Sequence, residues 1–371
     1  MAIQTLTFDP DGDLHLRLTC PSEISPPKTE GTAKTDPVVH GSDASADGAV
    51  LTPPGSDLGS AEAVENPCSD SAEEACKEID MLVSSKHLML ASPVFKAMLQ
   101  RGTFLEGKKL QSGGAVVIPL PDDDPDIFQI LLNIVHGRVR QVPNQVSVKV
   151  MTGLSILVDK YQMHEIVELY VRTWMPELKK SLPAKLDSTL LSWISICYVF
   201  RISAEYQHVT RLAKLESCSP LGTDGEHDFP IPSLVINRIE SKRQTGVASL
   251  LSTITAIINI YNKSKVICGT NFKGNLSIYR YACDSMVVGS LLKSASSHGL
   301  WPLPLVPYSG RSIKQTAETI RVLQLVAMCD APFHSWTQNP PLPAHGMIKR
   351  LRDAADCAEK ECEGLVFDGT T

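Results

Sequence analysis

Alternation is the first pattern along the chain. In "DGDLHLRL" (11–18) Leu14, Leu16 and Leu18 alternate with His15 and Arg17, the period of a half-buried strand entered through an Asp-Gly turn. Two more strands are predicted at "IDMLV" (79–83) and over Val116, Val117, Ile118 and Leu120, the latter behind a Gly113-Gly114 turn. Between them, "SSKHLMLASPVFKAML" (84–99) keeps helical spacing on both sides of a proline. Proline breaks a helix interior but costs nothing at the first helical position. The run is therefore predicted to be two helices meeting at a corner. Ser84 or Ser85 caps the first, which carries Leu88; Ser92 caps the second, with Pro93 at its start and Phe95, Met98 and Leu99 on one side.

"PDDDPDIFQILLNIVHG" (121–137) predicts a helix with Asp124 as cap, Pro125 at the first position and Asp126 in the first turn. Ile127, Ile130, Leu131 and Ile134 form its apolar stripe, and Gly137 ends it. Further helices fit 150–161 (Leu154, Leu157, Val158, Tyr161) and 163–178 (Met163, Val167, Tyr170, Trp174). From 183 onward strand signals nearly vanish. Helical spacing runs through 188–200, 204–217, 231–261, 282–296, 312–328 ("SIKQTAETIRVLQLVAM") and 347–365 ("MIKRLRDAADCAEKECEGL"). No solenoid-type repeat is present.

Composition separates one segment from these elements. Residues 21–78 contain no aromatic side chain, seven prolines and twelve Asp/Glu against three Lys/Arg, a local charge of −9. Such a stretch buries too little apolar surface to offset its chain entropy, so an acidic disordered insertion is expected there. Its Ser25-Pro26 and Thr52-Pro53 pairs are candidate phosphorylation sites, though an unmodified spacer is the simpler reading. The fold class is α+β. The first strand lies in 1–20, the insertion spans 21–78, the main body spans 79–178, and an all-helical C-terminal region covers 183–371.

The remaining composition mainly excludes. The whole chain of 371 residues carries −6, so the part outside the insertion is near neutral and lacks the basic surface of a nucleic-acid binder. The start has no apolar signal segment, and "VASLLSTITAIINIY" (247–261) is too short and polar to span a bilayer, so neither export nor membrane insertion is expected. Ten cysteines without regular spacing then read as reduced thiols in the cytoplasm or nucleus. No P-loop, G-x-S-x-G or G-x-G-x-x-G motif occurs, and no catalytic residue or cofactor is predicted.

Candidate chemistry is sparse. Asp122, Asp123 and Asp124 are read as the solvated start of a capped helix, and His87 as a packing residue. Cys268, Cys283, His345, Cys357 and Cys362 are the one set to weigh for zinc. Their gaps are wide and Cys357 and Cys362 fall on different helix faces, so no metal site is predicted. The basic doublets Lys108-Lys109, Lys179-Lys180, Lys242-Arg243 and Lys349-Arg350 are read as solvated helix faces.

The order of "VSSKHLMLASPVFKAML", "LPDDDPDIFQILLNIVHGR" and "LVDKYQMHEIVELY" resembles the BTB/POZ domain, most closely the group found in fungal proteins, with "DGDLHLRL" as its first strand. The resemblance implies a protein–protein interaction module that binds other proteins, pairs with a second copy of itself, or docks onto a cullin-type ubiquitin-ligase scaffold or a transcription complex. Relatives commonly open the first helix with His and a basic residue that pairs with a first-strand Asp at the dimer interface. Here Ser84 and Ser85 take those places opposite Asp13. The expected core of the module is Leu88, Phe95, Met98, Ile127, Leu131, Ile134, Leu157 and Tyr161, and its docking surface the exposed first strand and outer helices.

Overall fold

Three leucines on one face of a strand fix the centre of the sheet. In the computed structural model, which describes residues 4–19, 78–100, 104–113, 116–222, 229–272, 277–330 and 343–367, Leu14, Leu16 and Leu18 are fully buried. Each contributes about 2 kcal/mol of transfer free energy. They belong to β2 (Leu14–Thr19), which pairs antiparallel with β3 (Glu78–Val83) and parallel with β4 (Val116–Leu120). An element not foreseen, β1 (Gln4–Thr7), adds parallel to β3, giving the order β1-β3-β2-β4. Four mostly exposed residues reading QTLT carry no buried alternation to announce a strand. The expected acidic insertion lies outside the described residues except for Glu78, as do Ser25-Pro26 and Thr52-Pro53.

The proline corner forms as two helices, α1 (Ser85–Ala91) and α2 (Pro93–Leu99). Extended Ser92 separates them; its Oγ accepts the Phe95 amide at 3.1 Å and donates to the Tyr161 carbonyl at 2.6 Å. A short helix not anticipated, α3 (Leu105–Gln111), follows, then β4 and α4 (Pro125–Val135), whose Asp124 cap accepts the Asp126 and Ile127 amides. Next come α5 (Val148–Tyr161) and α6 (His164–Leu178). The helical remainder comprises α7 (Leu190–Val199), α8 (Ser203–Glu216), α9 (Ser233–Tyr261), α10 (Ser277–Ser297), α11 (Ile313–Arg321) and α12 (Met347–Lys360).

Buried apolar residues form two clusters. One unites the sheet and α1–α6 with α7, α8 and the start of α9; the other joins the rest of α9 to α10, α11 and α12. At the α9–α11 crossing a Cβ on Gly246 would sit 2.4 Å from Ile313, so glycine sets that approach.

Two predicted helices are shorter than their spacing indicated. The predicted helix over 312–328 ends at Arg321. Beyond it Leu323, Leu325, Ala327 and Cys329 are buried in strict alternation, and the amides of Gln324 and Val326 donate to Ser294 and Ser290 on α10, both at 2.9 Å. A period of two with side-chain acceptors along a neighbouring helix wins over helix formation. The last helix stops at Lys360, and 361–367 crosses back over α8, where the Leu365 amide donates to Thr210 and Phe367 stacks on Tyr206 at 4.3 Å. Gly364 sits so close that an added Cβ would lie 1.9 Å from the Gln207 carbonyl.

Arg243 corrects the reading of its doublet as a solvated face. Its side chain is fully buried, forked onto Glu240 at 2.6 and 2.8 Å and donating to the carbonyls of Pro307, Tyr308 and Arg311. The Pro307 and Arg311 carbonyls left by an irregular loop need a donor, the Tyr308 carbonyl takes a second one beside the Arg311 amide, and guanidinium supplies five.

Candidate functional site

The residues assigned to the platform core lie under the sheet. Leu88, Phe95, Ile127, Leu131, Ile134, Leu157 and Tyr161 are all buried. Phe95 stacks on Tyr161 at 4.7 Å, and Phe128 meets the same ring edge-on. Met98 is half-buried and lines a groove of about 650 Å³ with Val94, Phe104, Ile118 and Pro119, between α2, α3 and β4.

Asp123 is not solvated as the sequence reading had it. It is 4% exposed and accepts from Lys160 Nζ at 2.7 Å and from the Tyr161 hydroxyl. The turn ahead of α4 faces the end of α5, so this one of the three aspartates points inward while Asp122 and Asp124 stay exposed. Burial, followed by the hydrogen bond to Asp123, pushes the Tyr161 phenol far above its ordinary range. The trio locks the end of α5 to the turn ahead of α4.

Asp13 is engaged locally. Its carboxylate accepts the Ser85 amide and hydroxyl, both at 2.7 Å, and so caps α1 from the turn ahead of β2, 72 residues earlier in the chain. Ser84 donates its amide to His136 Nε2 at 3.1 Å, while His136 Nδ1 lies 2.9 Å from the Leu132 carbonyl. His87 is exposed and edge-on to His136 at 5.2 Å. On the outer face of β2, His15 and Arg17 turn to Asp80 at 2.6 and 3.8 Å. That strand is internal to the sheet, whose edges are β1 and β4. Leu90 on α1, 87% exposed, Leu169 on α6, 71% exposed, and Leu105 on α3, 61% exposed, are the most open large apolar side chains on the described α-helices up to α6.

Residues 75–174 match the family model of the BTB/POZ domain. This segment is a BTB/POZ domain. Such domains are protein–protein interaction modules that bind other proteins and dimerise, and are not themselves enzymes. The match begins just ahead of β3, but β2 lies between β3 and β4, so the sheet of the BTB/POZ domain is completed by residues 4–19. Neither the curated proteins nor the solved structures yield a match to the chain. Among the described residues no helix is long and apolar enough to cross a membrane.

Outside the BTB/POZ domain, the structure divides the sequence-derived cysteine set. Cys357 is exposed on α12 and Cys362 lies just beyond its end. Cys268, Cys283 and His345 instead converge with Cys329, a residue the sequence reading passed over, and the four ligand atoms lie within 4.8 Å of one another. His345 Nε2 is 3.4 Å from Cys283 Sγ and 3.2 Å from Cys329 Sγ. All three thiols are buried, Cys283 and Cys329 completely. Burial pushes the Cys283 and Cys329 thiols above their usual range and the His345 imidazole below its own.

The segments holding these groups are pinned by carboxylates. Asp284, beside Cys283 on α10, accepts the amides of Ile267 and Cys268 at 2.7 and 3.0 Å. Asp330, beside Cys329, accepts those of Ala327 and Ala344 at 2.8 and 2.9 Å. Ala344 and His345 both take left-handed backbone, φ 46° and 56°, ahead of Gly346 at 80°. Two consecutive non-glycine residues there are strained, and the turn aims the imidazole at the sulfurs. The one local signal for Cys329 was the alternation through 323–329.

Proposed function

We propose that the chain is a non-enzymatic scaffold or adaptor, acting in the cytoplasm or nucleus, whose BTB/POZ domain docks onto another protein through its outer helices. The BTB/POZ match carries this reading. The exposed Leu90 and Leu105 support it as apolar surface on an otherwise well-packed body. The spending of Asp13 on the Ser85 cap favours a heterologous partner over a homodimer built on a charged pocket at that Asp.

The test is affinity purification of the full chain and of a Leu90→Asp, Leu105→Asp variant, followed by protein mass spectrometry. Both sites are open to solvent, so the variant keeps its fold. Partners lost from the variant are expected. A cullin-type scaffold among them identifies a ubiquitin-ligase adaptor, and chromatin-bound proteins a transcription-associated scaffold. An unchanged set of bound proteins overturns the proposal, as does light scattering that gives a homodimer dissociated by Asp13→Asn.

A further inference from the structure

We infer that Cys268, Cys283, Cys329 and His345 form a closed, four-ligand site for a single zinc ion that ties the C-terminal helical region together. A tetrahedron with Zn–S of about 2.3 Å and Zn–N of about 2.0–2.1 Å has S···S edges near 3.8 Å and S···N edges near 3.6 Å. The four ligand atoms here lie within 4.8 Å of one another, with S···N separations of 3.4 and 3.2 Å. One ion fits at their centre with small adjustments.

The chemistry of the donors selects the ion. Three sulfurs and an imidazole nitrogen suit zinc, whereas magnesium and calcium take oxygen ligands. Four protein ligands leave no coordination position open, so the site is structural and not catalytic. Zinc entry converts three thiols to thiolates and releases three protons to solvent.

The surroundings fit as well. A ligating histidine ordinarily gives its other ring nitrogen to an oriented partner. His345 Nδ1 lies 2.8 Å from the Tyr261 hydroxyl and 3.8 Å from Asp284, leaving Nε2 for the metal. The groups come from four separate segments: the loop after α9, α10, the extended stretch before Asp330, and the turn leading into α12. Buried cysteines by themselves are ordinary small apolar residues. Three of them meeting an imidazole nitrogen at one point, each on a segment anchored by a carboxylate or by α10, is a built cage. A disulfide between two of the thiols is the competing outcome.

The full chain is purified without chelator and its metal measured by inductively coupled plasma mass spectrometry. About one zinc per chain is expected, released when the thiols are blocked with a mercurial. Cys283→Ser combined with Cys329→Ser is expected to lower it to below about a tenth, while Cys357→Ser combined with Cys362→Ser leaves it unchanged. His345→Cys keeps four zinc-competent ligands and is expected to keep the metal, which separates ligand loss from misfolding. Chelation should speed hydrogen exchange in 262–272 and 343–360 and leave 78–100 as before. Wild-type chain with less than about a tenth of a zinc, a disulfide among the three cysteines in a non-reducing peptide map, or zinc lost only from the Cys357/Cys362 variant would each overturn the site.

Discussion

Ser92 and Pro93 give the corner a quantitative signature. Ser92 is fully buried, accepts the Phe95 amide and donates to the carbonyl of Tyr161, the last residue of α5. Ser92→Ala removes a cap, about 1 kcal/mol, and strands a buried carbonyl, about 1–3 kcal/mol, for a total near 2–4 kcal/mol. Pro93→Ala should cost only about 0.5 kcal/mol, through a less restricted unfolded chain, because the first helical position makes no use of the missing N–H. One continuous helix would reverse the order: Pro93→Ala would stabilise by about 3 kcal/mol and Ser92→Ala by a few tenths. Urea unfolding of the full chain, followed by tryptophan fluorescence, measures both, since Trp174 and Trp193 lie in the same core as the corner. A Pro93→Ala variant more stable than wild type, with Ser92→Ala within about 0.5 kcal/mol of it, would refute the two-helix reasoning.

Three further outcomes follow from single contacts. Burial holds the His136 imidazole below its ordinary value of 6.5, and Nε2 accepts the Ser84 amide, so its stabilising contribution is complete above about pH 6.5 and is lost as pH falls toward the folded value. The urea midpoint should therefore drop on acidification less in His136→Gln than in wild type; equal drops would remove His136 from the account. Arg243→Ala strands the Pro307 and Arg311 carbonyls and removes the cation beside Glu240 in the helical region, and should cost about 3–5 kcal/mol by urea unfolding, whereas a loss under 1 kcal/mol would show the loop solvated instead. Gly364→Ala should lift 361–367 off α8, read as faster hydrogen exchange in that peptide and across 203–216, with α1–α2 unaffected.

Elements whose cause is local were legible before the fold. Asp124, Pro125 and Gly137 bracket α4 by cap chemistry alone, and Ser92-Pro93 announces the corner in the same way. What escaped depends on who faces whom. Asp123 has the same sequence neighbourhood as Asp122, yet it meets Lys160 and Tyr161, which only the packing of α5 on α4 determines. Arg243 looked like half of a surface doublet because its three carbonyl acceptors come from a loop more than sixty residues away. Helical spacing carries residues 322–328 into a helix because the preceding amphipathic turns run straight into them; the alternation of Leu323, Leu325, Ala327 and Cys329 is the stronger signal.

The pairing of β2 with β3 and the meeting of the cysteine–histidine cluster escape local reading for one thermodynamic reason. β2 pairs residue for residue with β3, Thr19 opposite Glu78, across a connection that a family model starting at 75 does not reach. Closing a loop costs about 1.5 RT ln n, so a connection ten times longer than a hairpin turn costs only about 2 kcal/mol more, roughly the transfer free energy of one buried leucine. Three leucines on β2 outweigh it. The same slow logarithm lets Cys268, Cys283, Cys329 and His345 meet although 15, 46 and 16 residues separate them in turn. Short ligand spacings mark sites formed on a single turn of chain; a site assembled after the helices have packed needs no such spacing. Its ligands are set by which faces the cores bury, and for Cys329 that face is given by an alternation of period two.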